Sequence, residues 1–227
     1  MLDVVFEKNK YSTIIQKPIE NEFLKTESKN LTVNVPDINN ILGDKLTAFA
    51  PHTTGVRFGE EKELEIIKQL FDCASLFDEA TDFTAVKNTY KKCVETEIKY
   101  RGLKLSVEDV LQDTIQSCLC IASRGTTNKE DYAYFIDGIS RIKSHVIGMS
   151  FSGEIAGAYA CKVLYLTAAI LTNQQSLIKI NEPEKYFSQR LNLKNPKQFS
   201  YLQFVDSKSY AYLAEATDLL KILDNHI

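Results

Sequence analysis

Lys45, in the stretch ILGDKLTAFAPHTTG (Ile41 to Gly55), is a charged amine where a helix has little use for one. At helical spacing Ile38, Ile41, Leu42, Leu46 and Phe49 form one apolar stripe. Lys45 falls inside it, four residues after Ile41 and four before Phe49. Two readings are open. In one, the four-carbon stem packs along the core and the ammonium reaches water. In the other, the amine points into a cleft and meets phosphate, a task suited to a compact charge. The next helix carries Asp72, in KQLFDCASLFD. A helix–loop–helix hairpin closed by APHTTGVRFGEEKE would bring that carboxylate back beside Lys45. The alternative for Asp72 is a solvated carboxylate next to Lys68 at i,i+4. Gly43 and Ala48 keep the first helix slim enough for another element to approach closely.

Other chemistries find little support. The five cysteines are odd in number and sit within helical patterns, and Cys118 and Cys120 point to different helix faces, which argues against a disulfide framework or a zinc site. His52, His145 and His226 are scattered, so a histidine-based metal cluster is not expected. G-M-S-F-S-G around Ser152 is not the nucleophile-elbow pattern. Ser152 reads as a helix cap with Glu154 in the first turn. No Walker-type or G-x-G-x-x-G loop occurs.

The elements that must position Lys45 and Asp72 are legible in outline. Before Pro36, LDVVF, LTVNV and STII are strand-length runs of β-formers, with Pro18 and the polar stretch near Asn21 as turns. Asp37 is placed to cap the helix that carries Lys45. Helices are then expected near 60–79, 84–100, 106–124, 129–148, 153–172 and 208–225. Ser106 with Asp109, and Asn128 with Asp131, look like capping pairs, and Gly125 and Gly148 sit where helices would stop. The expected fold is α+β and predominantly helical: a short β element over 1–36 and a helical domain over 37–227.

Composition suits an ordinary globular protein, 44% hydrophobic and 25% charged, and a net charge of −3 gives no global basic field for nucleic acid. The N-terminus lacks a cationic start followed by a long apolar run. The most apolar segment, Ile155 to Leu171, is short for a bilayer and carries Lys162, so a buried helix is expected and no membrane contact. These features lead to the expectation of a cytoplasmic protein.

The phrase VPDINNILGDKLTAFAPHTTGVRF, with EIIKQLFDCASLFD after it, resembles the second half of the AbiEii/AbiGii family of nucleotidyltransferase-like toxins. The family's third motif is a helix with lysine in a K-L-x-A setting, matched here by Lys45, Leu46 and Ala48. Its fourth is an R-D-x-x-D phrase, and the corresponding letters are Lys68, Gln69, Leu70, Phe71 and Asp72, of which only the last aspartate is literal. The likeness covers roughly residues 1 to 80. It implies a fold like that of the DNA polymerase β-type nucleotidyltransferases. There, a Gly-rich turn and a D-x-D pair hold magnesium and a nucleoside triphosphate. The helical half then supplies a lysine that neutralises phosphates and an aspartate that positions the substrate or the lysine.

This chain has no Gly-Gly or Gly-Ser turn leading into a helix and no D-x-D on a strand. Asp3 matches the third, metal-binding carboxylate of the superfamily; its alternative is a loosely held N-terminal strand residue. The expectation is therefore the C-terminal portion of such a protein, inactive alone and binding neither cofactor by itself. Its implied partners are an antitoxin or the missing N-terminal half, with RNA as acceptor in complete relatives. An incomplete sheet would leave an edge near LDVVF and LTVNV open to homo-oligomerisation. The competing expectation is a non-catalytic helical interaction module that docks a partner chain. For that role Tyr132, Tyr134, Phe135, Tyr210 and Tyr212 are either a binding surface or core packing.

Overall fold

The computed structural model describes residues 9–20 and 31–224. Strand β1 (Ile14–Pro18) pairs antiparallel with β2 (Thr32–Pro36), Ile15 opposite Val35 and Lys17 opposite Val33. The expected LDVVF strand lies outside the described residues. Because side chains alternate along a strand, Ile15, Val33 and Val35 share one face. Ile19 and Leu31 extend that face through the bond from Ile19 N–H to the Leu31 carbonyl, 2.8 Å. Ile19, Leu31 and Val33 are exposed.

Helix α1 (Ile38–Thr47) starts at Asp37, whose carboxylate accepts the Asn40 N–H at 2.9 Å. Asn40 is a buried hub: its Oδ1 accepts from Ser12 N–H (2.9 Å) and from the Thr89 hydroxyl (2.6 Å), tying the hairpin to α1 and α1 to α3 (Phe83–Tyr100). Gly43 is the point of closest approach. A Cβ there would stand 2.5 Å from the Val86 carbonyl and 2.9 Å from the Tyr90 nitrogen, so the small residue is what lets α3 lie against α1.

Five further long helices follow: α2 (Glu63–Glu79), α4 (Val107–Ala122), α5 (Lys129–Ile142), α6 (Gly153–Leu171) and α8 (Ser207–Asp224), the last preceded by the one-turn α7 (Leu202–Val205). The fold is α+β and predominantly helical, as expected. Ser106 and Asp109 form a reciprocal capping box, and Asn128 and Ser152 cap α5 and α6 through their side chains. One expected helix is too long. The 129–148 reading stops at Ile142: Lys143, Ser144 and His145 face solvent, so the buried stripe of the helix is interrupted there.

Helix α6 is the centre of the core, packed against α2, α4 and α8. It alone among the described residues is long and apolar enough to cross a membrane, and 72% of that window is buried inside the protein. Its apolar surface is spent on a globular core. All five cysteines are buried. Burial pushes the Cys73, Cys118, Cys120 and Cys161 thiols up, Cys120 to about 12, so they are inert packing groups. Phe135, Tyr210 and Tyr212 also belong to this core. Tyr132 is half-buried, and the partly exposed Tyr134 stacks on Phe58 at 4.9 Å. Core packing, not a surface, is what most of these aromatics provide.

Candidate functional site

Lys45 and Asp72 meet. The Nζ of Lys45 is 2.9 Å from Asp72 Oδ2, an ion pair that joins α1 to α2, with the two side chains 40% and 38% exposed. Lys68 instead pairs with Glu65 at 2.9 Å, so the solvated i,i+4 arrangement for Asp72 does not form. Leu42, Leu46 and Phe49 are fully buried while Lys45 stands at the border of their stripe. The stem runs beside the core and the amine reaches the surface.

There it lines a groove of about 730 Å³, with Thr54, Arg57, Lys62, Gln69 and Arg101 among the other walls. That is within the span of roughly 300–1,000 Å³ found for small-molecule sites. The far wall is the turn after α1. Thr54 donates its hydroxyl to the Thr47 carbonyl (2.9 Å), and Arg101 at the C-terminus of α3 donates to the Gly55 carbonyl (3.2 Å). A Cβ at Gly55 would lie 2.5 Å from the Ala50 nitrogen, so the turn closes only with glycine.

Three of the groove's four cations have acidic partners: Lys45 with Asp72, Lys62 with Glu60 at 3.1 Å, and Arg101 with Glu97 at 3.2 Å. Pairs this exposed are worth about 0–1 kcal/mol each. They are therefore weak competitors for a multiply charged anion, which would meet several of these cations at once. Arg57 is exposed and, among the described residues, has no ion pair. Asp44, Glu60 and Glu97 line the groove as well, so its four cations face three carboxylates and it is not strongly basic.

The carboxylates here do not suit a magnesium pair. Asp72 is committed to Lys45, Asp44 Oδ2 accepts the Tyr11 hydroxyl at 2.9 Å, and among the described residues no group of three or more His, Cys, Asp or Glu side chains could hold a metal. Asp3 lies outside the described residues. No metal-dependent step is derived from this groove.

A second cleft, of about 680 Å³, opens between the ends of α2 and α8. Some of its charges are occupied within the fold: Lys162 pairs with Asp78, Asp82 caps α3, and Asp206 accepts the Ser209 hydroxyl in the first turn of α8, while Lys179 and Lys208 also line it. The groove at Lys45 gathers four cations, one more than this cleft, and is taken as the candidate. No family model, curated protein or solved structure matches the chain.

Proposed function

We propose that this chain contributes the phosphate-facing lysine of a nucleotidyltransferase-like protein resembling the AbiEii/AbiGii toxins. The observation that carries this reading is the Lys45–Asp72 pair. Two residues on separate helices meet at 2.9 Å, and Lys45 lines a groove whose other cations are Arg57, Lys62 and Arg101. Lys45 would neutralise nucleotide phosphates, and Asp72 would hold the amine in place between ligands. The chain does not transfer nucleotides alone, because its sequence contains neither the Gly-rich turn nor the D-x-D pair. A magnesium site and the nucleoside triphosphate belong to the complete assembly, which we place in the cytoplasm.

The experiment is a labelling assay. The purified chain is incubated with magnesium, each radiolabelled nucleoside triphosphate in turn, and an RNA pool. No transfer is expected. Labelling that Lys45→Ala abolishes would overturn the claim that the chain is inactive alone.

A second reading, an interaction module, is favoured by the hairpin. Two-stranded sheets are marginal by themselves, and this one turns Ile19, Leu31 and Val33 outward. The occupant that fits is the segment or chain bearing the missing motifs, since it must extend this sheet to face Lys45 across the groove. Light scattering distinguishes the rival: a dimer that Val33→Lys converts to monomer would mean self-association through the hairpin. An antitoxin remains the alternative partner.

A further inference from the structure

All seven residues of the stretch 175–181 line the second cleft, of about 680 Å³. The stretch has no helix and no strand partner, so its main-chain groups have to be accounted for one by one. The Ile178 N–H donates to the Tyr165 hydroxyl at 2.7 Å, and the Ile180 N–H donates to the Tyr212 hydroxyl. Those two rings stack at 5.2 Å and Phe77 meets both edge-on, so the hydroxyls are fixed points of the core. A chain that sends the N–H groups of residues 178 and 180 to one side runs extended, and it turns those of 177 and 179 to the other. Among the described residues, no main-chain N–H or carbonyl of Leu177 or Lys179 is bonded within the protein. One edge of this segment is tied down and the other is open.

The charges of the cleft divide in the same way. Asp78 pairs with Lys162 at 2.6 Å, Asp82 accepts the Ala85 N–H at 3.0 Å, and Asp206 accepts the Ser209 hydroxyl and the Lys208 N–H. On the opposite wall the N–H groups of Thr81 and Asp82 donate to Asn39 Oδ1, at 2.9 and 3.0 Å. Lys179 and Lys208 are exposed and, among the described residues, have no ion pair. Ile178, although it lines the cleft, is 50% exposed. What the fold leaves uncommitted here is therefore one backbone edge, one isoleucine and two ammonium groups.

We propose that this cleft binds an extended peptide segment of a partner protein, added as a strand along residues 175–181 and carrying carboxylates for Lys179 and Lys208. Main-chain bonds to Leu177 and Lys179 set the register of the added strand, and its alternating side chains supply an apolar contact for Ile178 and the acidic groups. Two tyrosine hydroxyls already hold the receiving segment, so little ordering is left to do on binding. A small anion meets the two lysines but leaves the open edge unused. The site is separate from the groove at Lys45, and nothing in it depends on what that groove binds.

The test begins with a displayed library of random ten-residue peptides selected on the whole chain, and enriched peptides are expected to combine β-branched and acidic residues. Lys179→Glu/Lys208→Glu changes two exposed positions and leaves the core alone. Calorimetry on the enriched peptide should show it binding this double variant at least about tenfold more weakly, with the gap narrowing as salt is added. N-methylation of the peptide at alternate residues should abolish binding, while methylation at the intervening ones is tolerated, because only one set of N–H groups faces the added edge. In hydrogen exchange the Leu177 and Lys179 amides should gain protection when the peptide binds. Three results overturn the proposal: no peptide enriched, affinity that survives the charge reversal, or N-methylation that acts alike at every position. The last would leave an anion-binding cleft without strand addition. None of them bears on the reading of the Lys45 groove.

Discussion

Two lysines sit in apolar stretches of this chain, and each is answered by an aspartate of the same helix, α2. Lys45 meets Asp72 at 2.9 Å and Lys162 meets Asp78 at 2.6 Å. They differ in depth. The Lys45 side chain is 40% exposed, whereas that of Lys162 is 12% exposed, with its Nζ 5.7 Å from the centre of the Tyr159 ring. A largely buried amine is held in place by its counter-charge and the ring face. A half-exposed amine can change partners at little cost. One lysine is therefore fixed by its surroundings and the other is free to exchange a carboxylate for a ligand. Depth, not the local letters, makes the difference.

The comparison fails altogether if α2 moves, because both aspartates ride on it. Gly138 of α5 sets its position: a Cβ there would lie 2.2 Å from the Glu63 carbonyl and 2.7 Å from Ile67 Cγ1. Gly138→Ala is expected to cost about 3 kcal/mol in denaturant unfolding, the upper end for overpacking. The two lysines should then separate in stability measurements. Lys162→Ala removes a buried stem, with an expected loss of about 1–2 kcal/mol. Lys45→Met should change stability by less than about 0.5 kcal/mol. Equal losses would erase the distinction.

A smaller effect sharpens the Lys45 side. Burial acts to raise the Asp37 carboxyl, but hydrogen bonds from Asn40 and Asn39 outweigh it and hold the group below its ordinary range. A carboxylate with a lowered folded pKa contributes stability above the unfolded value of about 3.9 and loses it as pH falls through the folded one. Asp37→Ala should therefore cost about 1 kcal/mol near neutrality, and the difference from the native chain should shrink at acid pH. A pH-independent difference would show that the cap acts by packing alone.

Much of this arrangement is written locally. Capping residues announce α1, α4, α5 and α6. The lysine in the stripe and the aspartate one helix later suggest their own encounter, and Gly43 marks the close approach without naming α3 as the partner. Residues 172–206 are different. They hold only two 3₁₀ turns and the one-turn α7, yet Ile180, Leu191, Phe199 and Leu202 close the core. Such a segment has no period to read, since its apolar residues are chosen by the surface they cover. The hold of Asp113 on the Pro51–Gly55 turn is equally nonlocal. Asp113, Thr114 and Ser117 are buried polar residues of α4, but the turn that Asp113 pins comes from a distant stretch of the chain.

The most direct test of the account is calorimetric titration of the chain with inorganic tripolyphosphate at low salt, beside Lys45→Met and Lys162→Met. If Lys45 is the exchangeable amine of an anion-receiving groove, Lys45→Met weakens binding at least about tenfold, the equivalent of roughly 1.4 kcal/mol, while Lys162→Met leaves it unchanged. Equal affinity in all three proteins, or a loss confined to Lys162→Met, would contradict it.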